Sequence, residues 1–345
     1  MRVNAIFLIA TVWFCSSAGI CQPSAAHLEM VVKDQEHKVD ILIGGELFTS
    51  YLYLPNLKKP VLWPVISAAG NTLTRSYPLV QKVGERVDHP HHVGVWLNYG
   101  DVNGLDFWNN SQLVSEEKKH QYGTIYHRSI ETVENGVGKA ELVTTSDWKS
   151  SDNTLMIRET TTFEFIVLNN MRIVDRTTRL TAMIPEVTFT DDKEGMFAIR
   201  VARELELPMT KPTKVVGADG EPVEKLNNQG INGNYVSASG IQGKQVWGTR
   251  GRWMKLSGSI NGVFESIVII DHPDNPGYPT YWHARDYGLF SANTLGQKVF
   301  TKGEKELNFK LKSDEAVAFR YRLVLATGSI TNNQINKLAD QFAIK

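Results

Sequence analysis

Cysteine is almost absent from this sequence of 345 residues. Its two cysteines, Cys15 and Cys21, both fall in or beside a hydrophobic N-terminal segment. The rest of the chain therefore offers no thiolate for a catalytic nucleophile, an iron–sulfur cluster or a cysteine-ligated zinc ion. A chain of this length buries enough apolar surface to fold without disulfides.

Net charge is also lacking, because 37 Lys and Arg residues balance 37 Asp and Glu residues. Nucleic-acid binding depends on clustered positive charge that neutralises phosphates. The basic pair Lys118-Lys119 directly follows Glu116-Glu117, so we expect no nucleic-acid partner. No apolar run after residue 26 is long enough to span a bilayer, so we expect no membrane span.

Residues 1–26 are typical of a secretory signal peptide. Arg2 supplies a positive start, and residues 5–14 form an apolar stretch that is too short to cross a membrane. Small residues then place the cleavage site near 18–26. We therefore expect a periplasmic or secreted protein. A lipid anchor on Cys15 or Cys21 is the alternative, although the residues before each cysteine suit lipoprotein processing poorly.

Helical periodicity is scarce, whereas alternation of apolar and polar residues with period two is common. It is clearest over residues 38–43, 172–180 and 316–325, and it is typical of strands with one buried face. Turn pairs such as Asn261-Gly262 separate these segments and favour two-residue hairpins. The pattern predicts an all-β fold built as a large antiparallel β-sandwich.

One helix is predicted, at the C-terminus. Ile335, Leu338 and Phe342 recur at helical spacing behind Thr331, which suits an N-cap. No linker rich in Pro, Gly or Ser divides the chain before this point. We therefore predict a single β-sandwich domain over residues 27–345 that ends in a short helix, and the sequence leaves the oligomeric state open.

The densest polar motif is Asp-His-Pro-His-His at residues 88–92, which holds three of the nine histidines. In an extended strand, His89 and His91 would point to one side and His92 to the other. Pro90 favours a bulge or an edge position that could redirect all three rings. Trp96, Asp101, Asn103, Asp106 and Trp108 follow closely in the sequence.

Three interpretations of this motif remain open. His89 and His91 with Asp101 or Asp106 could bind a divalent transition metal. The histidines could instead transfer protons, since the pKa of imidazole lies near neutrality. They could also be structural, with their nitrogens bonded to backbone carbonyls at a bend.

A second motif, residues 271–288, contains three prolines that rigidify the chain before His283 and Arg285. The planar guanidinium of Arg285 suits a carboxylate or vicinal hydroxyls, although an internal ion pair with Asp271 or Asp286 is the alternative. Smaller elements contribute further candidates. These are Arg75 and Tyr77, together with Glu194 as a carboxylate that either faces a pocket or lies in water.

The motifs at residues 88–92, 103–108, 193–200 and 271–290 together resemble the bacterial PmoA-like family of exported proteins, often labelled "methane oxygenase PmoA". The resemblance extends from residues 75–78 to the final strands, and it implies a supersandwich of the galactose-mutarotase type. Val93 stands where members commonly carry an arginine, so no role of that arginine carries over. The membrane subunit named PmoA has several spanning helices, so we expect no methane oxygenase activity here.

The sequence hypothesis is a carbohydrate-active enzyme, a lyase, hydrolase or epimerase that acts on a small or oligomeric saccharide. The expected catalytic residues are His91, His92, His283 and Glu194. The expected substrate-binding residues are Arg75, Tyr77, His89, Trp96, Asp101, Asn103, Trp108 and Arg285. No cofactor is assigned. The alternatives are a metal-dependent enzyme that uses His89, His91 and Asp101, and a non-catalytic glycan-binding module.

Overall fold

The computed structural model describes residues 26–345, and the predicted signal peptide lies outside the described residues except for its last residue. Extended strands dominate this part of the chain, as the alternating pattern predicts. The strands are β1 (His27–Lys33), β2 (Lys38–Ile43), β3 (Glu46–Leu52), β4 (Val61–Val65), β5 (Val95–Tyr99), β6 (Thr124–Glu134), β7 (Gly136–Val137), β8 (Lys139–Lys149), β9 (Leu155–Leu168), β10 (Met171–Ala182), β11 (Glu186–Phe189), β12 (Gly195–Arg200), β13 (Thr213–Val216), β14 (Pro222–Lys225), β15 (Asn234–Ser237), β16 (Trp253–Ile260), β17 (Val263–Asp271), β18 (Tyr281–Ala284), β19 (Leu289–Asn293), β20 (Phe309–Lys312) and β21 (Ala316–Thr327).

Within the described residues, helical structure is limited to short segments. Four 3₁₀ turns lie at Asp34–Glu36, Glu116–Gln121, Arg203–Leu205 and Gly243–Val246, and one α-helix, α1, spans Asn332–Phe342. Within residues 26–345, no helix combines the length and the hydrophobicity that crossing a bilayer requires.

Two large antiparallel sheets organise the strands. The nine-stranded sheet has the order β18-β19-β12-β5-β4-β3-β2-β1-β7, and the eight-stranded sheet has the order β15-β16-β17-β21-β10-β9-β8-β6. Two small sheets pair β11 with β20 and β13 with β14. The predicted all-β architecture, a large antiparallel sandwich followed by a short C-terminal helix, is confirmed.

The two large sheets pack against each other through aromatic and aliphatic side chains. Phe48 of β3 meets Phe165 of β9 edge to face with ring centroids 6.1 Å apart, and Phe197 of β12 stacks on Tyr321 of β21 at 5.0 Å. Alternate residues of β9 are buried in this layer. Removal of this apolar surface from water is the main driving force for the sandwich.

The hairpin predicted at Asn261-Gly262 is confirmed. These two residues have φ values of 52° and 79°, and they join Ile260 of β16 to its partner Val263 of β17. Positive φ at both positions is the requirement of a type I′ turn, which Asn followed by Gly meets at low cost.

The predicted C-terminal helix is also confirmed. Thr331 accepts a hydrogen bond from the backbone N–H of Gln334, whose side chain bonds back to the Thr331 backbone as a capping box. Ile335, Leu338 and Phe342 are buried within a cluster that includes residues of β16 and β17. The helix therefore covers the face of the eight-stranded sheet that is turned away from the other sheet.

The nine-stranded sheet also has a second, more polar face. His283 of β18 pairs with Ser291 of β19, Ser291 with Ala198 of β12, and Ala198 with Trp96 of β5. Partners in an antiparallel pair project to the same face. Their sequence neighbours, such as Trp282, lie in the core between the sheets, so His283 and Trp96 share the opposite face.

A glycine connects the histidine motif to this sheet. Gly94 has a φ of 57°, and a Cβ atom at this position would lie 2.1 Å from the carbonyl oxygen of Leu62. The Gly94 carbonyl also accepts a hydrogen bond of 3.0 Å from the Arg200 N–H. The chain can approach β4 this closely only without a side chain.

We expect Gly94→Ala to lower the free energy of unfolding by about 2 to 5 kcal/mol, through backbone strain and overpacking. Gly70→Ala is the matched control, because Gly70 has a φ of 81° and open space around its Cβ position, and we expect a loss of about 1 kcal/mol there. Urea denaturation measures both variants. Equal losses would show that the contact with Leu62 does not restrict the site.

Candidate functional site

The buried side chain of Arg75 fixes the backbone of the histidine motif by hydrogen bonds. Its side chain is 1% exposed, and its two terminal nitrogens donate hydrogen bonds to the carbonyl oxygens of Asp88, His89 and His92 at 2.9, 2.9 and 3.1 Å. A planar guanidinium can satisfy several carbonyls in this fixed geometry. In this structure the terminal nitrogens of Arg75 bond to the backbone of residues 88–92. Contact of Arg75 with a substrate stays a prediction.

Asp88, whose side chain is 27% exposed, forms an ion cluster with the buried side chains of Arg75 and Arg200. One carboxylate oxygen accepts hydrogen bonds from Arg75 Nη1 at 2.8 Å and from Arg200 Nη2 at 2.7 Å. Burial disfavours the charge, but the guanidinium groups of Arg200 and Arg75 hold the pKa of Asp88 well below its usual range. Arg200 ends the motif at residues 193–200 and was not among the predicted site residues.

His89 lies at the surface end of an aromatic cluster. Its ring is parallel to those of Tyr287 and His92, with centroids 4.8 Å away in both cases. Its side chain is 38% exposed, and its φ of 43° is unusual for a residue with a side chain. Such backbone strain persists where the surroundings impose it, as the bonds from Arg75 do here.

His91 and His92 are buried and uncharged. Burial, followed by the charge of Lys59, lowers the pKa of His91 to about 2. Burial, followed by His91, lowers the pKa of His92 far below its usual value. Arg200 Nη1 lies 3.2 Å from His92 Nδ1. Because a guanidinium only donates, Nδ1 is the acceptor and Nε2 carries the hydrogen.

The two tryptophans predicted to stack on a sugar are enclosed. Trp96 is 0% exposed and Trp108 is 1% exposed. Their ring centroids are 5.3 Å apart, and the ring of His92 lies between 5 and 6 Å from both. Neither indole has a face open to a ligand in this structure. Tyr287 is the partly exposed ring beside the histidines.

His283 is buried on the polar face of the nine-stranded sheet with one nitrogen fixed. Nδ1 lies 2.9 Å from the carbonyl oxygen of Lys193, and a carbonyl only accepts, so Nδ1 donates. Nε2 then carries the lone pair of a neutral imidazole, and no described residue bonds to it. Burial, then the charges of Lys193 and Arg285, lowers the pKa of His283 to about 3.

Glu194 lies beside this imidazole. Its Oε2 is 3.5 Å from His283 Nδ1, and its side chain is 15% exposed. The other carboxylate oxygen contacts the ammonium of Lys193. The carboxylate predicted from sequence therefore stands next to a predicted catalytic histidine.

Arg285 is a cation without a protein counter-charge. Its guanidinium lies over the ring of Tyr287 at 5.6 Å, and none of the carboxylates in residues 26–345 forms a salt bridge with it. The predicted alternative of an ion pair with Asp271 or Asp286 is wrong, since Asp286 pairs with Lys244 at 2.8 Å and Asp271 bonds to Asn275 and Thr280.

The two motifs therefore meet, although about two hundred positions separate them in the sequence. His89 stacks on Tyr287, and Tyr287 contacts Arg285. Neighbouring strands β18, β19, β12 and β5 produce this convergence.

Asp101 and Asn103 do not join this cluster through any hydrogen bond. Asp101 accepts the N–H of Gly104 at 2.8 Å, and Asn103 bonds to the backbone of Glu186 and Thr188. They shape a turn against β11.

The alternative metal site is not assembled either. Across the described chain, no three His, Cys, Asp or Glu side chains come close enough to share a metal ion. The set of His89, His91 and Asp101 is therefore wrong as a ligand cluster.

A cavity of about 610 Å³ opens beside His91. Tyr77 and His91 line it, whereas His283, Arg285 and Glu194 do not. The wall also includes Lys59, which sequence reasoning missed because a lysine pair before a proline carries no motif. Burial lowers the pKa of Lys59 to about 7, against the opposing charge of Asp106.

The chain belongs to a family of unknown function, DUF6807, whose model matches residues 38–340. Membership of an uncharacterised family is thus confirmed, while the PmoA-like name is not part of that description. No curated protein matches the sequence.

Several solved structures are similar at low sequence identity. The galactosidase domain of alpha-galactosidase-sucrose kinase AgaSK has a TM-score of 0.43 and 8% identity, over 87% of this chain and 42% of that chain. The GH36 alpha-galactosidase AgaB from Geobacillus stearothermophilus has a TM-score of 0.39 and 8% identity, over 87% of this chain and 41% of that chain. A putative aldose 1-epimerase from Escherichia coli K12 has a TM-score of 0.31 and 10% identity, over 88% of this chain and 100% of that chain. The chain spans about two fifths of the length of the two galactosidases.

Buried neutral histidines make the stability of this protein depend on pH. In the unfolded chain, imidazole binds a proton near pH 6.5, whereas folded His91 and His283 bind one only near pH 2 and 3. The unfolded state therefore holds more protons below pH 6.5, and the free energy of unfolding falls as the pH falls.

We expect His91→Gln to reduce this slope by about 1.4 kcal/mol per pH unit between pH 6 and 3, which corresponds to one proton. Urea denaturation across this range measures the slope. His120→Gln, at an exposed position, is the control and should leave the slope unchanged. An unaltered slope in His91→Gln would show that His91 is charged in the folded protein.

Proposed function

We propose that this protein is a carbohydrate-active enzyme in which the Nε2 atom of His283 accepts a proton from a saccharide. The observation that carries the proposal is the tautomer of His283. Its Nδ1 donates to the Lys193 carbonyl at 2.9 Å, so Nε2 is the basic nitrogen. Burial lowers the pKa of His283 to about 3, so Nε2 is unprotonated at neutral pH and is a weaker base than an exposed imidazole.

The neighbours of His283 supply complementary roles. Burial raises the pKa of Tyr287 to about 12, so its phenol stays protonated and can donate to a substrate oxygen. The unpaired guanidinium of Arg285 can bind vicinal hydroxyls or a carboxylate. Glu194, whose Oε2 lies 3.5 Å from His283 Nδ1, is the carboxylate that helps to orient the His283 ring. Proton transfer and hydroxyl binding by these groups suit a lyase, a hydrolase or an epimerase.

His91 and His92 have a different part in this proposal. Both are buried, and the lowered pKa values keep both neutral near pH 7. A neutral imidazole is a poor acid, so neither serves as the proton donor here. His92 stacks beneath His89, and His91 lies between His89 and the cavity, which it lines.

Replacement of the proposed base should abolish turnover without loss of the fold. We expect His283→Gln to lower kcat at least about 100-fold, the usual contribution of a general base. Arg285→Met should raise KM more than it lowers kcat, because Arg285 binds without transferring protons. Turnover of a panel of oligosaccharides and free sugars, measured by chromatography and NMR, checks both.

His120→Gln, at an exposed position, is the matched histidine control and should keep full activity. Thermal unfolding shows whether each variant is folded. Full turnover by a folded His283→Gln variant would contradict the assignment.

We also propose export to the periplasm or the medium, supported by the signal-like pattern of residues 1–26. Expression in a Gram-negative host should yield a mature chain whose N-terminus, read by mass spectrometry, lies between residues 19 and 27. An intact Met1 in a correctly folded cytoplasmic product would contradict it.

A further inference from the structure

The cavity of about 610 Å³ beside His91 has a positively charged wall. Lys38, Lys58 and Lys59 line it, and Glu36 is the one acidic residue among its lining residues. Glu36 already pairs with Lys38 at 2.9 Å. The net charge of the lining is therefore positive, which favours an anionic occupant.

Lys59 is the deepest of these cations. The residue is 4% exposed, and its ammonium donates one hydrogen bond of 2.8 Å to the His91 carbonyl. It also lies over the Trp96 ring at 5.3 Å. In the described part of the chain no carboxylate forms a salt bridge with it, and the charge of Asp106 acts only from a distance.

A buried ammonium with one neutral acceptor and one aromatic ring is costly unless an anion joins it. An ammonium has three hydrogens to donate, and a single protein acceptor uses one. A ligand carboxylate placed in the cavity would take up the remaining donors and compensate the charge.

The rest of the wall suits a sugar. Asn110 and Gln112 donate their amide hydrogens to backbone carbonyls, Asn110 to Gly123 and Gln112 to Asn56, both at 2.8 Å. Among the described residues nothing bonds to their carbonyl oxygens, which remain as acceptors for hydroxyl groups. Aromatic and aliphatic residues, Trp63, Tyr77, Leu54, Leu57 and Leu79, supply the apolar surface.

We propose that this cavity binds a sugar residue that carries a carboxylate, a uronic acid, with the Lys59 ammonium as its counter-charge. The inference rests on the proposed action on saccharides and narrows the substrate to an acidic saccharide. His91 lines the cavity, and its ring centroid lies 5.7 Å from that of His89 in the neighbouring aromatic cluster.

The pH dependence of binding identifies the group responsible. Burial lowers the pKa of Lys59 to about 7, so the free protein loses this charge as the pH rises above 7, and uronate affinity falls with it. His91 and Asp106 are the titratable groups of other segments whose charges couple to Lys59, and Lys38, Lys58 and Glu36 line the same cavity. In Lys59→Arg the guanidinium stays charged, which separates the titration of Lys59 from all of these groups.

Isothermal titration calorimetry of the mature chain tests the proposal with galacturonate and glucuronate against galactose and glucose. We expect the wild type to bind at least one uronate about 10- to 100-fold more tightly than its neutral counterpart, the range of one charge-assisted hydrogen-bonded contact. Lys59→Met should abolish this preference. Lys214→Met, which removes an exposed lysine of β13 that does not line the cavity, is the matched control and should retain the preference.

The pH arm uses the wild type and Lys59→Arg, so it does not depend on the folding of Lys59→Met. Uronate affinity should fall between pH 6 and 9 in the wild type and stay level in Lys59→Arg. Equal affinity for uronates and neutral sugars, or unchanged preference in a folded Lys59→Met, would overturn the inference. Equally tight binding of acetate would also overturn it, because the site would then recognise a bare anion.

The two proposals fail separately. Uronate binding that needs Lys59, without turnover of any glycan, would support the cavity assignment and contradict the catalytic one. Turnover that needs His283 but occurs only on neutral glycans would support the catalytic assignment and contradict the cavity assignment.

Discussion

The ion cluster of Asp88 with Arg75 and Arg200 is the constraint on which the candidate site depends. One carboxylate oxygen accepts from both guanidinium groups, in a region where Arg75 and Arg200 are almost fully buried. Loss of one partner would leave a buried charge uncompensated, which is far costlier than the pair itself is stabilising. Arg75 also binds the carbonyls of His89 and His92, so the ion cluster and the loop conformation form one cooperative unit.

Burial then gives chemically similar side chains different properties. His91 and His92 are enclosed and neutral, and they shape the interior. His283 is equally neutral, but its fixed Nδ1 hydrogen leaves a basic nitrogen free. Lys59 and Arg285 are two cations near the histidine motif. Neither forms a salt bridge with a carboxylate of the described chain. The free nitrogen of His283 is the basis of the proposed catalysis, and Lys59 with the free amide oxygens of the cavity is the basis of the proposed uronate binding.

Much of the fold was predictable because its signals are local. Period-two alternation reflects the pleat of a strand, and Asn261-Gly262 meets the φ requirement of a hairpin through its own two residues. Thr331 caps a helix through bonds that span four residues. None of these signals specifies which strands become neighbours, because strand pairing depends on contacts between distant segments.

The sequence by itself singled out the candidate residues, namely the histidine motif, His283, Arg285 and Glu194. Only the tertiary structure decided the burial and the contacts of each. The adjacency of β18, β19, β12 and β5 turned His283 towards the Lys193 carbonyl and enclosed Trp96, and the close approach of the chain around His91 buried Lys59 in a cavity wall. The charge state, the exposure and the hydrogen-bond partners of a side chain follow from packing between strands that are distant in sequence. Such packing cannot be predicted from neighbouring residues in the sequence.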